Sequence, residues 1–241
     1  MSVTYGEREL AVHALRDASF YVRRGEVVVI MGPSGSGKTT LLSALGLLLT
    51  PTAGDILLNG TNLGHADATA RANARLNHIG FVFQQFNLMA SLSSTDNVAL
   101  PMLLAGVVPA ERTRRARAAL AHVEMLERAM AKPRALSGGQ QQRVAIARAL
   151  VNAAPVLLCD EPTAALDSAT GASILRTLRS LATRERRAVV IVTHDARVLS
   201  IADRVYEVMD GHVHEAPGST LDGKPPAGNS VDEELLERRM K

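Results

Sequence analysis

Three runs of consecutive apolar residues mark the chain: Val27 to Met31 in GEVVVIMG, Val156 to Cys159 in APVLLCDEP, and Ala188 to Val192 in RRAVVIVTHD. Each ends in glycine or polar residues and leads into a segment of helical periodicity. Uninterrupted strands that alternate with helices predict a parallel sheet covered on both faces, an α/β fold. The first run passes through GPSGSGK into a helix expected from about Lys38.

After IGFVFQQ the pattern changes to helix formers, including PAERTRRARAALAHVEMLERAM from Pro109 to Met130, so residues 86 to about 136 read as mostly helical. Arg112, Arg114, Arg115 and Arg117 in that stretch fit a solvated helix face. In YEVMDGHVHE, Asp210-Gly211 between alternating apolar residues is a hairpin signal. APGSTLDGKPPAGNS reads as a linker, and SVDEELLERRMK as a short helix opened by a capping box of Ser230 and Glu233. No internal repeat is present. The longest apolar stretch, Leu41 to Leu49, is cut by Thr50 and Pro51 and is far shorter than the roughly 20 residues of a membrane helix. Any work at a membrane therefore calls for another chain to span it.

Composition narrows this picture modestly. With 46% hydrophobic residues in 241, a sizeable core is possible. Lys and Arg number 27 against 24 Asp and Glu, an excess too thin to argue for nucleic acid. A single cysteine, Cys159, excludes an internal disulfide, and its apolar neighbours mark it as a core thiol. The start, MSVTYGEREL, lacks the apolar run of a secretion leader.

The candidate chemistry lies at the ends of the apolar runs. Gly32, Gly37, Lys38 and Thr39 fit the phosphate-binding P-loop, in which backbone N–H groups wrap phosphates, lysine neutralises them and the hydroxyl takes Mg²⁺. Asp160 ends the second run, as the acid of a magnesium–phosphate site does, which leaves Glu161 to orient or deprotonate a water. His194 ends the third run, where open α/β sheets place ligands. His13, His65, His78, His122, His212 and His214 have no comparable setting and read as surface or packing residues.

LSGGQQQR, residues 136 to 143, sets two glycines at the start of a helix, where each costs about 1 kcal/mol relative to alanine if interior. Ser137 and Gln140 form a capping box, which allows a purely local reading. A bare backbone at a helix N-terminus also suits an anion.

In this order, GPSGSGKTT, FQQ, LSGGQQQR, VLLCDEP, AALD and VTHD resemble the nucleotide-binding subunit of ATP-binding cassette (ABC) transporters, from about Tyr5 to Val213. The resemblance implies a P-loop ATPase of the ABC type. Its mostly parallel core sheet carries an antiparallel β subdomain and a helical insert at about 86–154. Residues 1–214 would form the ATPase domain, and 215–241 the linker and tail.

The resemblance also implies the site. Two copies would pack head to tail, with Ser34, Gly35, Ser36, Gly37, Lys38, Thr39 and Thr40 of one and Ser137, Gly138, Gly139 and Gln140 of the other around each ATP. Asp160, Thr39 and Gln84 would serve Mg²⁺, Glu161 would act as base, His194 would hold the γ-phosphate and Asp167 would cross the interface. Tyr5, 27 positions before Gly32, matches the aromatic that stacks on adenine. With only four residues ahead of it, most of the family's first strand is missing.

IGFVFQQFNLMASLSSTDNVALPM with LSGGQQQRVAIARAL is similar to the subgroup serving macrolide export and lipoprotein release. Asp96 stands where that subgroup often has glutamate, and Ala165 where serine is frequent. The implied partners are a second copy and an integral membrane permease subunit at the cytoplasmic face of the inner membrane, with no nucleic acid. A cell-division or signalling module of the same architecture, and an ABC ATPase acting on DNA or ribosomes, remain as alternatives. The second usually carries two cassettes or a long coiled coil, whereas 99 positions separate Lys38 from Ser137 here.

Overall fold

In the computed structural model, which describes residues 1–6 and 10–216, the three apolar runs form neighbouring strands of one sheet. β1 (Val3–Tyr5) and β2 (Val12–Leu15) precede β3 (Val27–Met31), which runs through the glycine-rich loop into α1 (Lys38–Leu45). β4 (Leu57–Leu58), β5 (Thr61–Asn62), α2 (Ala68–His78) and β6 (Ile79–Val82) follow. Three helices then come in succession, α3 (Ser94–Leu104), α4 (Pro109–His122) and α5 (Gly138–Leu150), before β7 (Val156–Asp160). α6 (Ser168–Glu185), β8 (Ala188–Val192), β9 (Arg204–Met209) and β10 (His212–Glu215) complete the order.

The main sheet has six strands in the order β10-β9-β3-β8-β7-β6. Only β10 is antiparallel, joined to β9 by a turn in which Asp210 and Gly211 both have positive φ, as a two-residue type I′ hairpin requires. β3 pairs in parallel with β8 and β9, and β7 with β8 and β6. Two antiparallel pairs, β1 with β2 and β4 with β5, lie outside it, and a bridge from Ser2 to Ala53 connects their neighbourhoods. β1 is three residues long.

Alternation along each strand divides the core into two layers. Val27, Val29, Leu157, Cys159, Val189 and Ile191 pack with α3 to α6 on one face. Val28, Ile30, Leu158, Val190 and Val192 pack with Leu41, Leu42 and Ala44 of α1 and Ala74 of α2 on the other. Burial pushes the Cys159 thiol up to about 12, with Asp160 adding to the shift, so it behaves as a core side chain.

The arginines of α4 differ from a simple solvated face. Arg112 and Arg115 are half-buried and donate to the carbonyls of Val107 and Val151, while Arg114 pairs with Glu111. These guanidiniums satisfy carbonyls at neighbouring element ends, which a charge pattern alone does not reveal. Among the described residues no helix is long and apolar enough to cross a membrane. The tail's capping box at Ser230 lies outside the described residues.

One buried ion pair ties the strand edge together. Arg204, 6% exposed, bonds Glu26, the Tyr206 hydroxyl at 2.7 Å and the Tyr21 carbonyl at 2.6 Å. Removing the acid leaves a buried charge uncompensated. Glu26→Ala is expected to lower unfolding stability by about 3–5 kcal/mol in urea titration, and Glu26→Gln, which keeps one acceptor but not the charge, by a smaller amount.

Candidate nucleotide site

Parallel register brings the chemistry to one edge of the sheet. Val192 pairs with Ile30 on one side and Asp160 on the other, so β3, β7 and β8 end together. Gly32 to Lys38, Asp160 with Glu161, and Thr193 with His194 all follow from those ends. Gln84 is exposed two residues past the end of β6, the strand beside β7.

The glycine-rich loop is shaped first by its own fold. Gly37, in the left-handed region at φ 109°, caps α1, and a Cβ there would run into the Ala14 carbonyl of β2. A Cβ on Gly32 would run into the Val208 carbonyl of β9. The loop is thus pinned between two strands. Lys38 Nζ donates to the carbonyls of Gly32 at 2.9 Å and Pro33 at 2.7 Å, which draws the ammonium across the loop. The Ser36 hydroxyl is buried with no hydrogen-bond partner, an unmet polar group within the loop.

Above the loop lies a cleft of about 400 Å³, lined by Gly35 to Thr40 and by Val12, His13, Ala14, Arg16, Asp210 and Gly211. The spacing of motifs did not single out Val12, His13, Arg16 or Asp210, because β2 and the β9–β10 turn reach the loop only through the fold. His13 is therefore a wall of this cleft, bonded to Thr4 Oγ1 at 3.0 Å, rather than a residue without a setting. Tyr5, 46% exposed at the end of β1, approaches the rim, with its hydroxyl 3.5 Å from Thr40 Oγ1. Ser34 is exposed in the glycine-rich loop.

Glu161 is the most constrained acid of the edge. Its backbone is left-handed at φ 47°, unusual for a residue with a Cβ, and its N–H donates to the Val192 carbonyl at 2.8 Å. Its carboxylate accepts from Thr193 Oγ1 at 2.8 Å and from the His194 N–H at 3.1 Å. The His194 ring approaches the same carboxylate, Nδ1 to Oε1 at 2.6 Å, with side-chain exposures of 73% for the histidine and 13% for the glutamate. An ionised carboxylate only accepts, so in this pairing Nδ1 carries the proton and Nε2 is left for a ligand.

Asp160 is half-buried. Burial pushes its carboxyl above the usual carboxylate range, Glu161 adds to the shift, and Lys38 acts in the opposite direction. An acid so placed is suited to a nearby dication. Among the described residues no group of three or more His, Cys, Asp or Glu is arranged for a metal. The donor set of Asp160 and the Thr39 hydroxyl fits a hard ion that takes its other oxygens from phosphate and water.

The signature turn, Ser137 to Gln140 of LSGGQQQR, stands apart from this cleft. Ser137 caps α5, accepting from the Gln140 N–H at 3.3 Å, while Gln140 Oε1 accepts from the Ser137 N–H at 3.0 Å. The local reading of the capping box is therefore correct. Gly139 has a packing reason too, since a Cβ would collide with the Thr170 methyl of α6. Gly138 has none: a Cβ would sit 3.5 Å from Leu166, an ordinary contact. Asp167 caps α6 through the Thr170 N–H at 3.0 Å, and hydrogen bonds from Thr170 hold its carboxyl below the usual range. Neither Asp167 nor any of residues 137–140 lines the cleft.

Comparison with known proteins agrees with this arrangement. A family profile described as "ABC transporter" matches residues 15–164. An "uncharacterized ABC transporter ATP-binding protein", MJ0796 of Methanocaldococcus jannaschii, is 44% identical over 214 residues, covering 87% of this chain and 91% of that protein. The macrolide export ATP-binding/permease protein MacB of Marinobacter nauticus is 42% identical over 218 residues, 90% of this chain and 34% of that protein. The chain thus spans about a third of the length of the MacB relatives it matches. The dimeric structure of the MJ0796 cassette in a post-hydrolysis state, bound to ADP and Pi, superposes with a TM-score of 0.83 at 41% identity, covering 92% of this chain and 97% of that one. Cleft, sheet edge and these likenesses together make the chain a member of the ABC transporter family, an ATPase domain of α/β fold.

Proposed function

We propose that this chain is the ATP-binding and hydrolysing motor of a membrane ABC transporter, in which two copies close head to tail around two ATP and drive a separate transmembrane subunit. The carrying observation is the division of the site: the phosphate loop and Glu161 share one sheet edge, whereas the Ser137–Gln140 turn lies outside the lining of the cleft. A second copy would supply it. The MacB names favour an export or mechanotransmission system, and the working place would be the cytoplasmic face of the inner membrane.

In this reading the loop N–H groups and Lys38 hold phosphates, with the ammonium turning from the two carbonyls it bonds here. Ser34, Gly35, Ser36, Gly37 and Thr40 line the phosphates, and Tyr5 and Val12 flank the base. Thr39, Asp160 and Gln84 would hold Mg²⁺, which neutralises charge developing on the phosphates when bound. Glu161, fixed by Thr193 and His194, takes the proton of the attacking water. His194 reaches the γ-phosphate through Nε2. The partner's Ser137 to Gln140 would approach the same phosphate with a helix N-terminus, and Asp167 would meet the opposing copy. Bare backbone at Gly138, which has room for a Cβ within its own chain, is accounted for by that approach.

The test begins with Glu161→Gln. That variant is expected to bind ATP without turnover and to run as a dimer in size exclusion with ATP present; a persistent monomer would remove Glu161 from the role of base. Copurification from gently solubilised membranes of the native host should then recover a permease, whereas recovery of ribosomes or DNA would overturn the transport reading. Ser137→Arg should abolish hydrolysis while leaving ATP binding by the phosphate loop within about twofold, and joint loss of both would sink the trans assignment. The glycines should also separate. Gly139→Ala is expected to lose about 1–3 kcal/mol of stability through overpacking on Thr170, while Gly138→Ala keeps its melting temperature and loses turnover.

A further inference from the structure

Gln142, within LSGGQQQR, lies one turn past Gly138 on α5 and is 0% exposed. Its amide Nε2 donates to the Pro162 carbonyl at 2.8 Å, and its Oε1 has no hydrogen-bond partner. A methionine of similar length would fill this space without an unmet acceptor, so the amide carries a desolvation cost that its single bond must justify. That bond grips the residue directly after Glu161.

The grip has counterparts on both sides. Across the loop, Thr163 Oγ1 donates to Asp195 at 2.9 Å, and the Asp195 N–H donates to Thr193 Oγ1, itself a donor to Glu161. The turn at Glu161 is thus clamped between α5 and the end of β8. Further along α5, Arg148 donates to the carbonyl of Phe86 at 2.8 Å and to that of Asn87, two left-handed residues just after Gln84. At its start, α5 meets α6 with no space at Gly139. One helix therefore touches the loops of both Glu161 and Gln84 while carrying Ser137 to Gly139 at its tip.

We infer that Gln142 is a positioning residue that couples the two nucleotide sites of the dimer, because it ties the Glu161 turn of a chain to the helix whose tip that chain presents to its partner's nucleotide. Five residue steps lead from the N-cap Ser137 to Gln142, about 7.5 Å of rigid rise. Seating of the tip on the partner's phosphate shifts α5, and the Pro162 carbonyl carries that shift to the chain's own Glu161. The inference rests on the head-to-tail dimer proposed above.

The experiment measures ATP hydrolysis against ATP concentration for the full chain and for Gln142→Met, with melting temperature and binding of a fluorescent ATP analogue in parallel. The wild type is expected to show a Hill coefficient approaching about 2. Gln142→Met should keep the melting temperature and the analogue affinity, lose about tenfold in kcat and fall to a Hill coefficient of about 1. An unchanged Hill coefficient and kcat in folded Gln142→Met overturns the inference, as does a loss that tracks only a lowered melting temperature. If Gln142→Met does not fold, Gln142→Asn, which keeps an amide but ends a methylene short of Pro162, gives the same two readings. ATP-driven dimerisation of Glu161→Gln separates the two failures: without it the dimer itself is wrong, and with it an unchanged Hill coefficient condemns only the coupling role.

Discussion

Parallel pairing of β3, β7 and β8 is the constraint on which the other features depend. Each of these strands is buried on both faces, so its side chains are spent on the core and only its last residue and the following turn are available for chemistry. Because the register aligns Ile30, Val192 and Asp160, those turns open at one level. A phosphate loop, a pair of acids and a histidine widely separated in the chain become neighbours through backbone hydrogen bonds alone. The ligand chemistry can then be carried by short loops whose ends do not move relative to one another.

At this edge, local folding needs and ligand needs fall on the same residues. Gly32 and Gly37 are excluded from bearing a Cβ by the carbonyls of Val208 and Ala14, before any phosphate is considered. Gly139 is excluded by Thr170. Gly138 alone of the signature pair is left without a reason inside its own chain. The strained backbone of Glu161 belongs with this group: the N–H bond to Val192, the two hydrogen bonds to its carboxylate and the approach of the His194 ring offset a left-handed φ. Its carboxylate is thereby held in one orientation ahead of any substrate, the arrangement that general-base chemistry favours.

α5 unites the two halves of the site. Its first turn is a capped helix N-terminus outside the lining of the chain's own cleft, while Gln142 and Arg148 bond the loops that carry Glu161 and Gln84. A rigid helix with polar contacts at both ends relays position well, since packed interiors transmit displacement rather than absorb it.

Much of the fold and of the candidate site was legible in the chain itself. Uninterrupted apolar runs announced the inner strands at Val27, Val156 and Ala188, Asp210-Gly211 announced its hairpin, and motifs tied to backbone geometry gave Gly32 to Thr39, Asp160, Glu161 and the capping box at Ser137. These signals are local, because strand burial, turn chemistry and caps depend on residues a few positions apart. The tertiary structure alone decided what depends on distant segments meeting. It placed Val12, His13, Arg16 and Asp210 around the phosphate loop, bonded the His194 ring to Glu161, made Arg112 and Arg115 of α4 partners for carbonyls while Arg114 and Arg117 stayed exposed, and set Gln142 on Pro162. No spacing or periodicity encodes such contacts, since each joins groups distant in the chain that only strand register and helix packing bring together.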